Sequence, residues 1–149
     1  MAASIQDTLR QEVAAGRKLY VELRTPEHAA YAGGASSVLL PGAKGAMGIL
    51  PRHAPLLSSL DVGFVRIRYP LGKEWRFVCG LGFVEVQQNH VLVLVDFADD
   101  VNDIDVPRAE AALQLARERL RGRGEDLDVA RAEAALQRAS VRLRYAATH

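Results

Sequence analysis

The feature that most constrains this chain is a change in the spacing of its apolar residues near position 104. Before that point apolar and polar residues alternate, as around Leu19 and Val21, which is typical of strands with one buried face. Beyond it, apolar residues recur every three or four positions, which is typical of helices that pack on one side. A chain of 149 residues has room for one main core and an appendage. We therefore expect an all-β sandwich domain over 17–100 and an antiparallel α-helical hairpin domain over 101–149.

Turn signals divide the first part into short runs at intervals of roughly 8–12 residues, as in β sandwiches and barrels. The first run ends at Thr25-Pro26-Glu27, because proline lacks the N–H that a strand ladder needs. We expect Gly33-Gly34 to form a turn. We expect Val91–Val95, which alternates little, to be covered on both faces. Further strands are predicted at Ser37–Leu40, Phe64–Arg68, Trp75–Val78 and Phe83–Val86.

A helical hairpin is predicted from caps and periodicity in the second part. Asp105 is suited to cap the first helix and Pro107 to lie in its first turn, while Gly122 ends it. Asp126 or Asp128 caps the second helix. The acidic residues before the hairpin predict an irregular linker: Asp96, Asp99, Asp100 and Asp103. The two apolar faces comprise Ala109, Ala112, Leu113, Ala116 and Leu120, and Val129, Ala132, Leu136, Ala139 and Leu143.

The first 16 residues fit neither part. Ile5, Leu9 and Val13 recur every four residues and indicate a short amphipathic helix, whereas a frayed extension is the usual state of a chain end. The segment lacks the continuous apolar run of a signal peptide. The chain also never reaches the ~18 consecutive apolar residues of a membrane span, so we expect a soluble protein. If it serves a membrane, we expect it to do so from outside the bilayer.

Composition and motifs exclude several kinds of chemistry. With 19 basic and 18 acidic residues, the net charge of +1 argues against non-specific nucleic-acid binding. The single cysteine, Cys79, rules out a disulfide framework and a cysteine-based zinc site, and we expect it to be buried. His53 has no serine or cysteine nucleophile in a recognisable elbow and is interpreted as a structural loop histidine. Gly42, Gly45 and Gly48 are interpreted as turn glycines. We expect no catalytic residue and no metal site.

One group of residues suits a phosphate chain. Asp105 and Arg108 lie at a predicted helix start, and Arg138 and Arg142 are four apart on one face of the second helix. An antiparallel hairpin brings that end of the second helix back towards the start of the first. Two guanidinium groups beside free helix N–H groups would bind phosphate oxygens. The alternative is a solvated arginine face that pairs with acidic residues.

Four segments, taken in order, resemble the epsilon subunit family of F-type ATP synthases, called delta in mitochondria: Leu39–Gly42, Gly45–Leu56, Gly82–Val86 and Asp103–Ala109. The resemblance extends from about Leu19 to about Ala146. It implies a β sandwich followed by a helical hairpin, without catalytic residues, on the central stalk of the enzyme. The partners it implies are the gamma subunit, the ring of c subunits and, through the hairpin, the catalytic alpha and beta subunits.

The resemblance also implies a function. Family members couple proton or sodium flow to ATP synthesis, and in many bacteria the extended hairpin blocks ATP hydrolysis. The expected location is the cytoplasmic face of the bacterial inner membrane, with peripheral attachment through the complex. The alternative from the residues alone is a β-sandwich adaptor whose helical hairpin binds another protein.

In some family members the folded hairpin binds ATP as a regulatory ligand, not as a required cofactor. Their motif Ile/Leu-Asp-x-x-Arg-Ala is matched here, and a linker acid falls on Asp99. An arginine of their first helix falls on Leu115, which cannot pair with phosphate. Losing one charged hydrogen bond costs about 1.5–3 kcal/mol, so we expect weaker ATP binding here. The implied site residues are Ile104, Asp105, Arg108, Ala109, Arg138 and Arg142.

The same resemblance implies a loop that contacts the c-ring and the gamma subunit, with Ile49, Arg52 and His53 as its candidate residues. An acid that is common in this loop is replaced by Ala46, and a common glycine is replaced by Arg52. We therefore expect ring docking to be made differently here, with a contribution from Arg52. The first 16 residues have no counterpart in the family pattern.

Overall fold

The computed structural model describes residues 4–122 and 128–146, and it divides into two compact units between Ala98 and Asp99. The described residues form the three helices α1 (Ile5–Ala14), α2 (Val106–Arg121) and α3 (Val129–Ala146). Short 3₁₀ turns lie at Pro70–Gly72 and Val101–Asp103. The strands are β1 (Leu19–Arg24), β2 (Ala29–Ala35), β3 (Ser37–Gly42), β4 (Gly45–Ile49), β5 (Leu56–Leu60), β6 (Gly63–Arg68), β7 (Glu74–Cys79), β8 (Gly82–Gln87), β9 (His90–Val95) and β10 (Ala98–Asp100).

The first unit is a sheet that folds over on itself. Its strands follow the order β7-β6-β3-β5-β8-β9-β1-β2, and β4 pairs with β3. Most neighbours are antiparallel, but β1 runs parallel to β9. Apolar side chains from both ends of this order, such as Ala35 of β2 and Phe77 of β7, meet in one buried cluster. The predicted β sandwich, closed here in a barrel-like way, is therefore confirmed.

Alternation along the strands decides which side chains enter this core. Leu19, Val21 and Leu23 are all buried, as their spacing predicts. Cys79 is buried too, which confirms its prediction. The prediction for β9 is wrong, because its valines are buried whereas Leu94 is 41% exposed. Only one face of β9 meets the core, and its other face belongs to the outer surface of the sheet.

Gly33-Gly34 does not form the predicted turn. Both glycines lie within β2 and pair with β1. A Cβ atom on Gly34 would lie 2.5 Å from the Leu9 side chain and 3.2 Å from the Tyr69 ring. The absence of a side chain at Gly34 therefore makes room for Leu9 and Tyr69. The Tyr31 hydroxyl donates a hydrogen bond of 2.7 Å to the Gly34 carbonyl, and burial raises the pKa of Tyr31 to about 12.

The acidic segment after β9 is more regular than predicted. It contains β10 and the second 3₁₀ turn, where an irregular linker was expected. The Asp100 carboxylate accepts the Asn102 N–H at 2.9 Å and caps this turn. Val101 is buried, and Phe97 and Ala98 are half-buried. The apolar residues among the acids therefore lie in packed positions, which a solvated linker would not provide.

The second unit contains the predicted helices with their predicted caps. The Asp105 carboxylate accepts the Arg108 N–H at 3.1 Å, and Pro107 lies in the first turn of α2. Gly122 ends α2. Asp128 caps α3 by accepting the Arg131 N–H at 3.0 Å. The other candidate cap, Asp126, lies outside the described residues.

The two long helices meet along a seam of small residues. Each helix buries two alanines that are seven positions apart and therefore lie on one face: Ala109 and Ala116 of α2, and Ala132 and Ala139 of α3. Alanine lets the two backbones approach closely. Ala112 and Val129 were predicted to lie on the apolar faces, but both are exposed, because the seam is narrower than the predicted stripe. Among the described residues, no helix has the length and apolar character needed to cross a membrane.

Candidate functional site

The start of α2 holds the motif residues of the candidate ATP site. Ile104 is half-buried beside the cap, and Ala109 is buried in the alanine seam, so both have a packing role. The Asp105 side chain is exposed and already serves as the helix cap. The Arg108 side chain is exposed to solvent. The carboxylate and the guanidinium of the motif therefore lie at an accessible helix N-terminus, where anions are favoured.

Arg142 on α3 returns to this end of the hairpin. Its Nε donates to Asp99 Oδ2 at 2.5 Å, and both side chains are partly buried. Because Asp99 precedes α2 and Arg142 lies near the end of α3, the two helices run antiparallel, which confirms the predicted hairpin. Arg138 lies one turn earlier on α3 and is half-buried. The structure thus pairs the predicted linker acid with one of the predicted arginines.

Leu115 occupies the position where the resemblance implies an arginine. Its side chain is exposed on α2, away from the buried alanine seam. No cation is supplied there. The arginines that the sequence predicts for a phosphate chain are Arg108, Arg138 and Arg142, and Arg142 already pairs with Asp99.

The capping role of Asp105 in α2 can be tested without a ligand. Asp105→Ala is expected to destabilise the first turn of α2 by about 1 kcal/mol, because an N-cap acceptor is lost. Asp105→Asn caps equally well and is expected to leave stability unchanged. Amide exchange at Arg108 and Ala109 in the full chain measures the difference. Equal exchange in the two variants would contradict the capping role.

The candidate contact loop joins β4 to β5. Ile49 ends β4 with 0% exposure, so it belongs to the core and is unavailable to a partner, contrary to its place among the candidate contact residues. Arg52 is exposed and His53 is half-buried. His53 Nδ1 lies 2.7 Å from the carbonyl oxygen of the adjacent Ala54. Of the three candidate contact residues, Arg52 and His53 are therefore the accessible ones.

Arg52 has a left-handed backbone, with φ of +69°. Side chains other than glycine reach this region at a cost of roughly 1–2 kcal/mol, which explains why glycine suits the position. The Arg52 N–H donates to Asn89 Oδ1 at 2.6 Å. Its guanidinium reaches the Ala15 carbonyl at 3.5 Å. The strained conformation is thus held by contacts with two other segments.

An exposed apolar face on β5, β8 and β9 was missed in the sequence. Leu57 is 76% exposed and Phe83 is 55% exposed, and Leu94 lies directly opposite Phe83 in the ladder. Beside them, a groove of about 470 Å³ is lined by residues of β5 and β8. The same face carries the exposed Glu85, which lies opposite Leu57 in the ladder, so the apolar side chains are grouped beside one charge. Exposed apolar side chains grouped in this way are typical of protein contacts. The sequence signal for this face is the presence of apolar residues at positions of β5, β8 and β9 where the alternation predicts polar, outward-facing side chains.

A β sandwich with exposed apolar side chains, followed by an arginine-rich helical hairpin, defines a two-unit protein of the sandwich-and-hairpin class. Residues 18–101 match the family model "ATP synthase, Delta/Epsilon chain, beta-sandwich domain". Residues 102–147 match the model "ATP synthase, Delta/Epsilon chain, long alpha-helix domain". The chain therefore belongs to the ATP synthase delta/epsilon family, as the resemblance predicted. Residues 1–17 lie outside both matches.

Relatives named ATP synthase epsilon chain show the same similarity. The one from Pelotomaculum thermopropionicum is 44% identical over 100 residues, which is 67% of this chain and 74% of the relative. The one from Synechococcus elongatus is 45% identical over 105 residues, covering 70% and 75%.

A solved structure shows that the fold is shared. A chain in the Euglena gracilis mitochondrial ATP synthase, OSCP/F1/c-ring, has a TM-score of 0.75 at 22% identity, covering 89% of this chain and 82% of that one. At that identity the similarity bears on the fold alone.

Proposed function

We propose that the chain is a non-catalytic subunit in the central stalk of an F-type ATP synthase, where it couples rotation, driven by proton or sodium flow, to ATP synthesis. The observation that supports this is the order and extent of the two family matches, which together run from residue 18 to 147. They cover the sandwich and both helices of the hairpin. In this proposal the chain attaches to the cytoplasmic face of a bacterial inner membrane only through the complex.

The exposed apolar face on β5, β8 and β9 is the proposed contact with the gamma subunit. Phe83 stands near its middle, with Leu57 and Leu94 on the neighbouring strands. Aromatic anchors surrounded by smaller apolar residues supply much of the binding energy in protein interfaces. The β4–β5 loop, with Arg52 and His53, is the proposed contact with the c-ring.

The hairpin is the proposed regulatory element. The described residues that it buries fully are alanines, beside half-buried leucines. A buried methyl-sized group contributes only about 0.8 kcal/mol, so the fully buried residues add little to the cost of separating the helices. Once separated, the exposed arginines of α2 and α3 would meet acidic surface on the alpha and beta subunits, where complementary charge speeds association. ATP bound to the closed hairpin would favour the closed, non-inhibitory state by its differential affinity.

Reconstitution tests the proposal. The full chain and a chain ending at residue 103 are added to an F1 complex from the same organism that lacks this subunit, and stoichiometry and ATPase rate are measured. We expect both to bind, and only the full chain to inhibit hydrolysis. Absence of binding by the full chain would contradict the stalk role and favour a β-sandwich adaptor. Binding without inhibition would contradict the regulatory role alone.

A matched set of arginine variants tests the ATP site. Arg108→Ala and Arg138→Ala are each expected to weaken ATP binding about tenfold or more, because each removes a charged hydrogen bond to phosphate. Arg119→Ala, which changes another exposed arginine of α2, is the control and is expected to have no effect. Titration of the full chain with ATP gives the dissociation constants. An equal loss of ATP affinity in all three variants would contradict the assignment of Arg108 and Arg138 to the ATP site.

A further inference from the structure

The N-terminal helix, which lies outside both family matches, packs against the candidate contact loop. The Ser4 hydroxyl accepts the Asp7 N–H at 3.1 Å and caps α1 at its start. The Leu9 side chain lies over Gly34 of β2. At its other end, α1 meets the β4–β5 loop and the β8–β9 turn through hydrogen bonds. This segment is therefore an ordered part of the first unit.

Asn89, in the β8–β9 turn, links the loop to the helix. Its Oδ1 accepts the Arg52 N–H at 2.6 Å, and its Nδ2 donates to the Val13 carbonyl at 3.1 Å. Its own carbonyl accepts the Tyr20 N–H at 2.9 Å, which fixes the turn against β1. One amide side chain thus holds the loop backbone and the last turn of α1 at once.

Arg52 provides a second link. A Cβ atom on Gly16 would lie 2.7 Å from Arg52 Nε, so the arginine side chain lies directly across the Gly16 backbone. Its guanidinium reaches the Ala15 carbonyl at the end of α1. The last turn of α1 contains no basic residue of its own, and a cation is favoured at a helix C-terminus.

The chain after α1 is also fixed. Arg17 donates two hydrogen bonds to the Glu12 carboxylate, from Nε at 3.0 Å and from Nη2 at 2.8 Å. These hydrogen bonds hold the pKa of Glu12 below its usual value. The Arg17 N–H also bonds to the Glu12 carbonyl. The connection from α1 to β1 is therefore held by hydrogen bonds to Glu12, and the end of the helix has a defined position beside Arg52.

We propose that α1 is a built-in brace for the β4–β5 loop, with Asn89 and Arg52 as the positioning residues that connect the two. The brace holds the loop, with its left-handed Arg52, in one conformation before a partner binds. Binding a loop that is already ordered avoids the entropy of ordering it. Arg52 and α1 thus form a matched pair, in which the arginine at a glycine-like position is useful because the helix is present. The identity of the partner rests on the proposed function, whereas the brace itself does not.

Amide exchange in the free full-length chain tests the brace without any partner. Asn89→Gly removes the side chain at a left-handed position that glycine tolerates, and it is expected to speed exchange at the Arg52 amide at least tenfold. Gln88→Gly is the matched control, since Gln88 is the neighbouring left-handed residue, and it is expected to leave Arg52 unchanged. Asn89→Asp keeps the acceptor for Arg52 but loses the donor to Val13. It is therefore expected to expose the end of α1 and, because the loop loses that support, to speed exchange at the Arg52 amide by a smaller factor than Asn89→Gly does. Unchanged Arg52 exchange in Asn89→Gly would overturn the proposal.

A double-mutant cycle tests the consequence for binding. Deletion of residues 1–16 and Asn89→Gly are each expected to weaken binding to the epsilon-free ATP synthase about tenfold. Because both remove the same link between α1 and the loop, and neither removes a loop side chain, the combined variant is expected to be no weaker than either single variant. A deletion of residues 1–3, which retains α1, is the control. A loss of binding of about 100-fold in the combined variant, the product of the two single effects, would overturn the coupling. Failure of the unaltered chain to bind would overturn the proposed function, but it would leave the result from amide exchange unaffected.

Discussion

Phe83→Glu is expected to weaken binding of the chain to a gamma-containing F1 complex by 30-fold or more. Phe83 is more than half exposed in the free chain, so a glutamate there is solvated and the fold is retained. In the complex the same carboxylate would be buried against an apolar partner, where an unpaired charge is costly. Loss of a central aromatic anchor typically costs about 2 kcal/mol or more, which corresponds to the stated factor.

Two leucines provide the controls for this effect. Leu57→Glu changes the same apolar face and is expected to weaken binding to a smaller degree. Leu71→Glu changes a fully exposed leucine in the β6–β7 turn, away from that face, and is expected to leave affinity unchanged. Surface-immobilised F1 that lacks this subunit gives the three dissociation constants. Equal losses for Leu57→Glu and Leu71→Glu would show that the apolar face is not the contact.

Gly82→Ala is expected to lower the free energy of unfolding of the sandwich by about 3 kcal/mol, the upper part of the usual range for an inserted methyl group. A Cβ atom on Gly82 would lie 1.8 Å from the Leu94 carbonyl oxygen and 2.8 Å from the Val95 Cα. Both are backbone atoms, so no side-chain rotation relieves the clash. The ladder between β8 and β9 would have to open locally.

The single tryptophan, Trp75, packs against the core of the first unit and reports on its unfolding separately from the hairpin. Urea titration followed by its fluorescence gives the free energy. Gly48→Ala is the control, because a Cβ atom at Gly48 meets no atom within 4 Å. A loss in Gly82→Ala no larger than in Gly48→Ala would contradict the argument from close approach.

The sequence predicted those features that depend on local chemistry. The alternation of Leu19, Val21 and Leu23 identified a strand with one buried face, and this is confirmed. Asp105 and Pro107 located the start of α2 to the residue, because a side-chain acceptor and a residue without an N–H are needed there. These rules hold because each involves atoms only a few residues apart.

Features that depend on the pairing of distant strands could not be predicted. Gly33-Gly34 has the composition of a turn, but its place in β2 is set by the side chains that pack over it. Val91–Val95 lacks contrast between its two faces, so only its neighbours β1 and β8 decide which face is covered. The same reason applies to Ile49, whose burial depends on core contacts that no local pattern contains.

The candidate site was predicted in its sequence positions but not in its connections. The spacing of Arg142 from Arg138 predicts its place in the site, and the family resemblance implies its partner Asp99. The sequence contains no signal for Asn89, since a single asparagine in a turn is common. Its importance depends on the meeting of the β8–β9 turn with α1 and the β4–β5 loop, which are far apart in the sequence.

The parallel pairing of β1 with β9 has a consequence for how such chains can diverge. The first and the last long strands of the sandwich are neighbours, so the sheet is complete before α1 is added at one terminus and the hairpin at the other. Either α1, or α2 together with α3, can be lengthened, replaced or lost without breaking a pair among β1 to β9. A change in α1 would affect Arg52 and Asn89, which contact its end. New elements can instead be added after β10 while the strand pairs of the sandwich stay unchanged.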